Sequence, residues 1–250
     1  MPETNRKPAR SRKAADRIWE IDFLRGLAII LMVAYHFGYD LTELAGIKSV
    51  LGIAFDLQSG PFRIAVDVFA GLFVVLCGVS CSLTRSNFRR GLKLLGVALL
   101  VTAASYVFSP EETIHFGILH CLAVCILLYG ATLEKAGPLK CLAAAGIVFG
   151  LSFAVPLALR NTPIRFDWLL PFGLTSYAYA SFDYFPLLPW FGVFLVGSAA
   201  GKKLYASRRS LLPKGRPVPL FNAAGRYSLW IYVIHQPVLL GIFYALGLMR

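Results

Sequence analysis

The sequence predicts an all-α integral membrane protein, a bundle of about seven transmembrane helices, and three observations carry that prediction. Of 250 residues, 57% are hydrophobic and only 15% charged, against about 25% charged in soluble domains. The apolar residues fall in long runs, and about 20 such residues cross the hydrocarbon layer at 1.5 Å per residue. Cationic residues gather in alternate gaps between the runs, as membrane topology demands.

The tail 1–17 is basic, with Arg6, Lys7, Arg10, Arg12, Lys13 and Arg17. A basic start before an apolar run also marks secretory leaders, but the run continues through Tyr35-His36-Phe-Gly-Tyr-Asp40 without a small-residue cleavage site. It is therefore expected to be a retained first span, with 18–250 forming one transmembrane domain. Spans are predicted at 20–41, 62–84, 92–108, 115–133, 139–158, 186–204 and 226–248. The gaps after the second, fourth and sixth hold Arg85, Arg89, Arg90 and Lys93, then Lys135 and Lys140, then Lys202, Lys203, Arg208, Arg209, Lys214 and Arg216. The other gaps are acidic or balanced. An odd number of spans then puts the amino terminus in the cytoplasm and the carboxyl terminus outside, in a multi-pass protein of the inner cell membrane.

The net charge of +12 would suit nucleic acid, but its confinement to alternate gaps argues for the lipid bilayer as partner instead. Five cysteines lack disulfide or zinc spacing and are expected as small buried side chains. Gly146-x-x-x-Gly150 and Gly197-x-x-x-Gly201 would let helices approach closely. Segments 42–61 and 159–185 are long enough to fold over the outer mouth. The second is aromatic, fitting either an interfacial belt or a sugar-binding surface.

Ionisable residues inside a span are costly and usually face the bundle interior or a wet cavity. In the first span Asp22, Arg25, His36 and Asp40 share one stripe of the helix with Ile29 and Met32. Asp40, four residues after His36, would orient the imidazole or hold its proton. Asp67 in the second span is expected to pair with a base at the depth of His36. His120 lies about four residues into the fourth span at a similar depth, and Ser228, Tyr232 and His235 share a face of the seventh, followed by Gln236-Pro237. No spacing marks a metal site, and none is expected. Arg85, Arg89, Arg90 and Lys93 serve topology, and as four cations at a helix start they also suit a phosphate-bearing ligand.

The run Glu20-Ile-Asp22-Phe-Leu-Arg25-Gly26-Leu-Ala28-Ile29, continuing to Met32-Val-Ala-Tyr-His36-Phe-Gly-Tyr-Asp40-Leu41, resembles the opening of the heparan-alpha-glucosaminide N-acetyltransferase catalytic family in a short bacterial form. Phe116-Gly-Ile-Leu-His120, Asp183-Tyr-Phe-Pro-Leu-Leu-Pro-Trp190-Phe-Gly192 and Gly225-Arg-Tyr-Ser228-Leu-Trp-Ile-Tyr232-Val-Ile-His235-Gln-Pro237 agree in order. The Leu24-Arg25-Gly26 motif with His36 eleven residues after the arginine is also similar to the membrane O-acyltransferases that decorate bacterial glycans. Long lysosomal members place a histidine just beyond the first span, where residues 41–61 have none.

The resemblance implies transfer of acetyl from cytoplasmic acetyl-CoA, or another acyl-CoA, to an amine or hydroxyl of a glycan or small acceptor on the far side. On that expectation His36 is general base or acyl carrier, oriented by Asp40 or Asp67. Arg85, Arg89, Arg90 and Lys93 bind donor phosphates, and Asp22 with Arg25 line the thioester path. His120, Asp183, Tyr184, Tyr232, His235 and Gln236 meet the acceptor. A homodimer is compatible with the sequence. The rival reading is a proton-coupled transporter of a small solute, although no internal repeat of the kind common in such folds is present.

Overall fold

The computed structural model describes residues 17–47, 49–50, 53–54, 59–84 and 86–248. Most of the basic tail, Lys48, Asp56 and the donor-site candidate Arg85 lie outside them. Each predicted apolar run forms a helix: α1 (Trp19–Glu43), α2 (Gly60–Leu83), α3 (Asn87–Phe108), α4 (Ile118–Thr132), α5 (Pro138–Leu159), α6 (Leu187–Leu204) and α8 (Ser228–Ala245). The short α7 (Pro219–Arg226) precedes the last. The described residues are all-α apart from a hairpin of two short strands, in which β1 (Ser49–Val50) pairs antiparallel with β2 (Ile53–Ala54).

Five of these helices, α1, α2, α3, α5 and α8, are long and apolar enough to cross a membrane. Their outward faces are what a lipid solvent selects: Leu139, Ile147, Phe153 and Leu157 of α5 stand exposed, a placement that water would penalise. α4, at 15 residues, is shorter and different in kind. Nine of its residues are buried, among them Cys121, Cys125, Ile126 and Tyr129, so it is the hub of the largest core cluster rather than a lipid-facing wall. All five cysteines are free and buried, as expected.

Glycine decides where backbones touch. A Cβ on Gly197 would strike the Val75 carbonyl and one on Gly78 the Phe194 carbonyl, so α2 and α6 meet backbone to backbone. Gly26 and Gly225 do the same for α1 and α7, against Phe221 and Asp22. Gly146-x-x-x-Gly150 behaves otherwise, since neither residue has a neighbour within 4 Å. That pair faces open space on the lipid-directed side of α5.

Two boundaries differ from the sequence expectation. α3 begins at Asn87 rather than 92, because Asn87 is buried and its amide donates to the Cys81 carbonyl and to Glu134, each at 3.0 Å. The run 226–248 starts earlier and is broken at Tyr227, where α7 ends and turns into α8. Asn222 anchors that turn by accepting from the Val218 N–H at 2.7 Å and donating to the Trp19 carbonyl at 2.6 Å. At the same end of the bundle Lys202 closes α4, donating to the carbonyls of Leu133, Glu134 and Ala136, the favoured place for a cation. The aromatic segment 159–185 packs on residues 112–118, through Phe182 N–H to the Glu112 carbonyl and Phe185 N–H to the Phe116 carbonyl, both at 3.0 Å.

Candidate functional site

The basic end of the bundle encloses a cavity of about 1300 Å³ between α1, α2, α3, α4 and α8. Arg17, Arg25, Arg89, Arg90, Lys93, Arg208 and Arg226 line it, and Asp22 is the one carboxylate on its wall among the described residues. Asp22 is 4% exposed and serves as the anchor. It accepts from Arg17 Nε and Nη2 at 2.8 and 2.9 Å, pairs with Arg25 at 3.5 Å and stands 3.9 Å from Arg226. Donation to the Asp22 carboxylate holds the Arg17 guanidinium above its usual range. Arg25 also donates to Ser80 Oγ at 2.5 Å, tying α1 to α2.

The close seat of α7 on α1 at Gly26 and Gly225 brings Arg226 into this group. Arg89, Arg90 and Lys93 come from the first turns of α3, with Arg89 and Lys93 exposed at the mouth. Thus Asp22, Arg25, Arg89, Arg90 and Lys93 converge as the sequence suggested. Arg17, Arg208, Arg226, Ser80 and Cys77 join them without having been singled out. The first two read in the sequence as topology charges, and only the loop path back to α1 makes Arg208 part of the wall. That path is fixed by buried Glu20, which accepts from Ser210 Oγ at 2.8 Å and Leu211 N–H at 2.7 Å.

Phe73, Leu119 and Tyr232 also line the cavity. Beyond it, at the opposite end, lies a group of imidazoles and carboxylates. The rings of His36 and His235 meet edge to face with centroids 4.8 Å apart. Each Nδ1 lies against a backbone carbonyl, His36 on Met32 at 3.0 Å and His235 on Tyr232 at 2.5 Å. A carbonyl only accepts, so neutral His36 and His235 both carry the proton on Nδ1 and leave Nε2 as the basic nitrogen. The Nε2 of His235 is buried with no hydrogen-bond partner.

The expected His36–Asp40 pair is not formed. Asp40 turns from the imidazole and accepts from Gln236 Nε2 with both oxygens at 3.0 Å, because α8 packs on α1 at that level. Nor does Asp67 meet His36. It lies on the exposed face of α2, and its expected pairing with a base fails because the helix is rotated to bury Val74, Leu76 and Cys77 instead.

Asp183 links the far segment to two helices. Its Oδ2 accepts from Ile118 N–H and Tyr232 Oη, each at 2.9 Å, so it caps α4 at the positive end of the helix dipole. Gly117 makes room, since a Cβ there would strike that carboxylate. Burial pushes the Asp183 carboxyl up, opposed by those two hydrogen bonds. Tyr184 donates to the Leu170 carbonyl at 2.8 Å, and burial takes its hydroxyl up to about 12. His120 is set apart. Its Nε2 meets Thr102 Oγ1 at 3.1 Å, and because that hydroxyl gives its proton to the Ile114 carbonyl at 2.7 Å, His120 donates there.

Tyr232 is the one residue that belongs to both groups. It lines the cavity, its hydroxyl reaches Asp183, and its carbonyl receives His235. Among the described residues no three of His, Cys, Asp or Glu stand close enough to hold a metal ion.

The family model described as heparan-alpha-glucosaminide N-acetyltransferase, catalytic, matches residues 17–237, a range that contains every residue of the cavity wall and of the far group. No curated protein and no solved structure matches the chain. With a polytopic apolar bundle and a match over most of its length, the chain belongs to the heparan-alpha-glucosaminide N-acetyltransferase catalytic family of membrane acetyltransferases.

Proposed function

We propose that the protein carries acetyl, or another short acyl group, from acyl-CoA at the cytoplasmic face to an amine or hydroxyl of a glycan or small acceptor at the outer face. The observation that carries this reading is the wall of seven cationic side chains around one carboxylate. Arg25 and Arg90 are half-buried in the wall and the other five cations stand exposed around it. Cations concentrated about one cavity favour an anionic ligand, and a nucleotide donor with a pyrophosphate and a further phosphate is one. Planar guanidinium forks suit phosphate oxygens. The volume exceeds the roughly 300–1,000 Å³ of pockets for drug-sized ligands, which fits a long donor. Arg89, Lys93 and Arg17 hold the phosphates, and the pantetheine arm runs past Arg25, Arg90 and Ser80 toward Phe73 and Tyr232.

At the other end His36 is the general base. Its Nδ1–H is committed to Met32, so Nε2 takes the proton from the acceptor as the new bond forms. His235 packs on the ring and fixes its orientation, a part the sequence suggested for Asp40 or Asp67. Tyr232 stands between donor and base, so its side chain must swing aside for transfer.

The test is thermal unfolding of the purified protein with and without CoA. Binding to the folded state alone stabilises by RT ln(1 + [L]/Kd), so a rise in midpoint that grows with CoA concentration is expected, smaller with dephospho-CoA. A midpoint unmoved by millimolar CoA overturns the donor assignment and leaves a proton-coupled transporter as the better reading.

A further inference from the structure

Arg90 poses a question that phosphate binding alone does not answer. Its guanidinium points away from the exposed mouth and along α2, where Nη2 lies 3.6 Å from Cys77 Sγ and Nη1 3.5 Å from Cys81 Sγ. Among the described residues these sulfurs are its side-chain partners, and no carboxylate pairs with it. Cys77 and Cys81 are one helical turn apart on the same face of α2, and both are buried. Only Cys77 lines the cavity, between Ser80 below and Phe73 above. Of the five cysteines it is the one on the cavity wall.

From this cluster we propose that Cys77 is an acyl-accepting nucleophile of the donor cavity, so that an acyl-protein forms before any acceptor is engaged. The proposal rests on the reading of the cavity as the acyl-CoA site. A fixed cation beside a sulfur stabilises negative charge on it, and it is the thiolate that attacks. Arg90 supplies that charge, and Arg25, tied to Ser80 one turn along α2 from Cys77, lines the same cavity.

The Cys77 sulfur attacks the thioester carbonyl carbon, a new sulfur–carbon bond forms, and the bond to the CoA sulfur breaks. The proton lost by Cys77 ends on the CoA sulfur. One thioester replaces another, so the step needs no oxidant, metal or energy source and is close to balanced in free energy. Arg90 turns from the incoming thiolate to the departing one with little movement.

The experiment measures exchange of label between acetyl-CoA and free CoA in the purified protein with no acceptor present. The wild type is expected to exchange and to carry an acetyl group, removable by neutral hydroxylamine, on the peptide containing Cys77. Cys77→Ala should abolish both, while its midpoint still rises with CoA. Cys141→Ser, in the core away from the cavity, should retain both. Wild-type protein that is stabilised by CoA but neither exchanges nor acquires label overturns the acyl-cysteine and leaves the donor site standing, as does undiminished exchange in Cys77→Ala. Protein not stabilised by CoA at all overturns the donor reading and this one with it.

Discussion

The two ends of the bundle treat polar groups in opposite ways. At the basic end, seven cations surround one carboxylate and an open cavity, and Asp22 alone pairs with three arginines. At the far end the carboxylates and several neighbours have protein partners: Asp40 has Gln236, Asp183 has Ile118 and Tyr232, His120 has Thr102, and Tyr184 has Leu170. Among the described residues four buried atoms there lack a partner, the Nε2 of His235 beside His36, the Nδ1 of His120, the Oε1 of Gln236 and the Oη of Tyr179. One end gathers cations around open space, and the other is a partly hydrogen-bonded frame around a pair of imidazoles. The proposed reaction, with a large charged donor and a proton-losing acceptor, would use that asymmetry.

The largest expected effect separates the two ends outright. His36→Ala should lower acetyl transfer by at least about 100-fold, the low end of what a general base contributes. CoA should still stabilise the variant as it does the wild type, because the cavity wall does not include His36. Transfer assayed in proteoliposomes at wild-type rate would remove His36 from the chemistry and dissolve the contrast.

How much of this contrast was legible in the sequence depends on what kind of signal each residue sends. The helices were, because apolar runs and gap charges report on the lipid solvent directly; α1, α2, α5 and α6 begin and end within two residues or so of their expected places. The stripe of Asp22, Arg25 and His36 was legible because it is set by one helix alone. Pairings between helices were not. Whether His36 meets Asp40, Asp67 or His235 depends on the rotation of α2 and α8 about their axes, and a 3.6-residue period fixes a face without naming what it faces. The glycines illustrate the same limit. Gly197-x-x-x-Gly201 and Gly146-x-x-x-Gly150 are alike as text, yet one seats a helix and the other faces open space.

A smaller effect sharpens the basic end. Arg89→Ala and Lys93→Ala remove cations at the exposed mouth, where solvent screens part of each contact. Each should raise the KM for acetyl-CoA about threefold to tenfold, equivalent to about 1 kcal/mol, with kcat little changed. That split is the mark of binding felt equally by ground and transition states. Steady-state kinetics at two ionic strengths checks it, since the wild-type KM should rise with salt more steeply than that of either variant. A fall in kcat at constant KM would move these residues from phosphate binding into the transfer step.

The smallest effect concerns Asp67, and it tests the far end by expecting almost nothing. A carboxylate within an apolar helix is costly and commonly functional, and on that argument alone it belongs beside His36. The structure instead sets it on the exposed face of α2, while the frame around His36 is completed by His235 and, one turn on, by Gln236 with Asp40. Asp67→Asn should therefore leave transfer within about twofold of wild type, inside the roughly 0.5 kcal/mol spread of surface substitutions. A loss of tenfold or more in the proteoliposome assay would mean that α2 turns during the cycle and brings Asp67 inward. The far end would then be a frame that opens rather than one already built, and the difference between the two ends would be one of timing instead of construction.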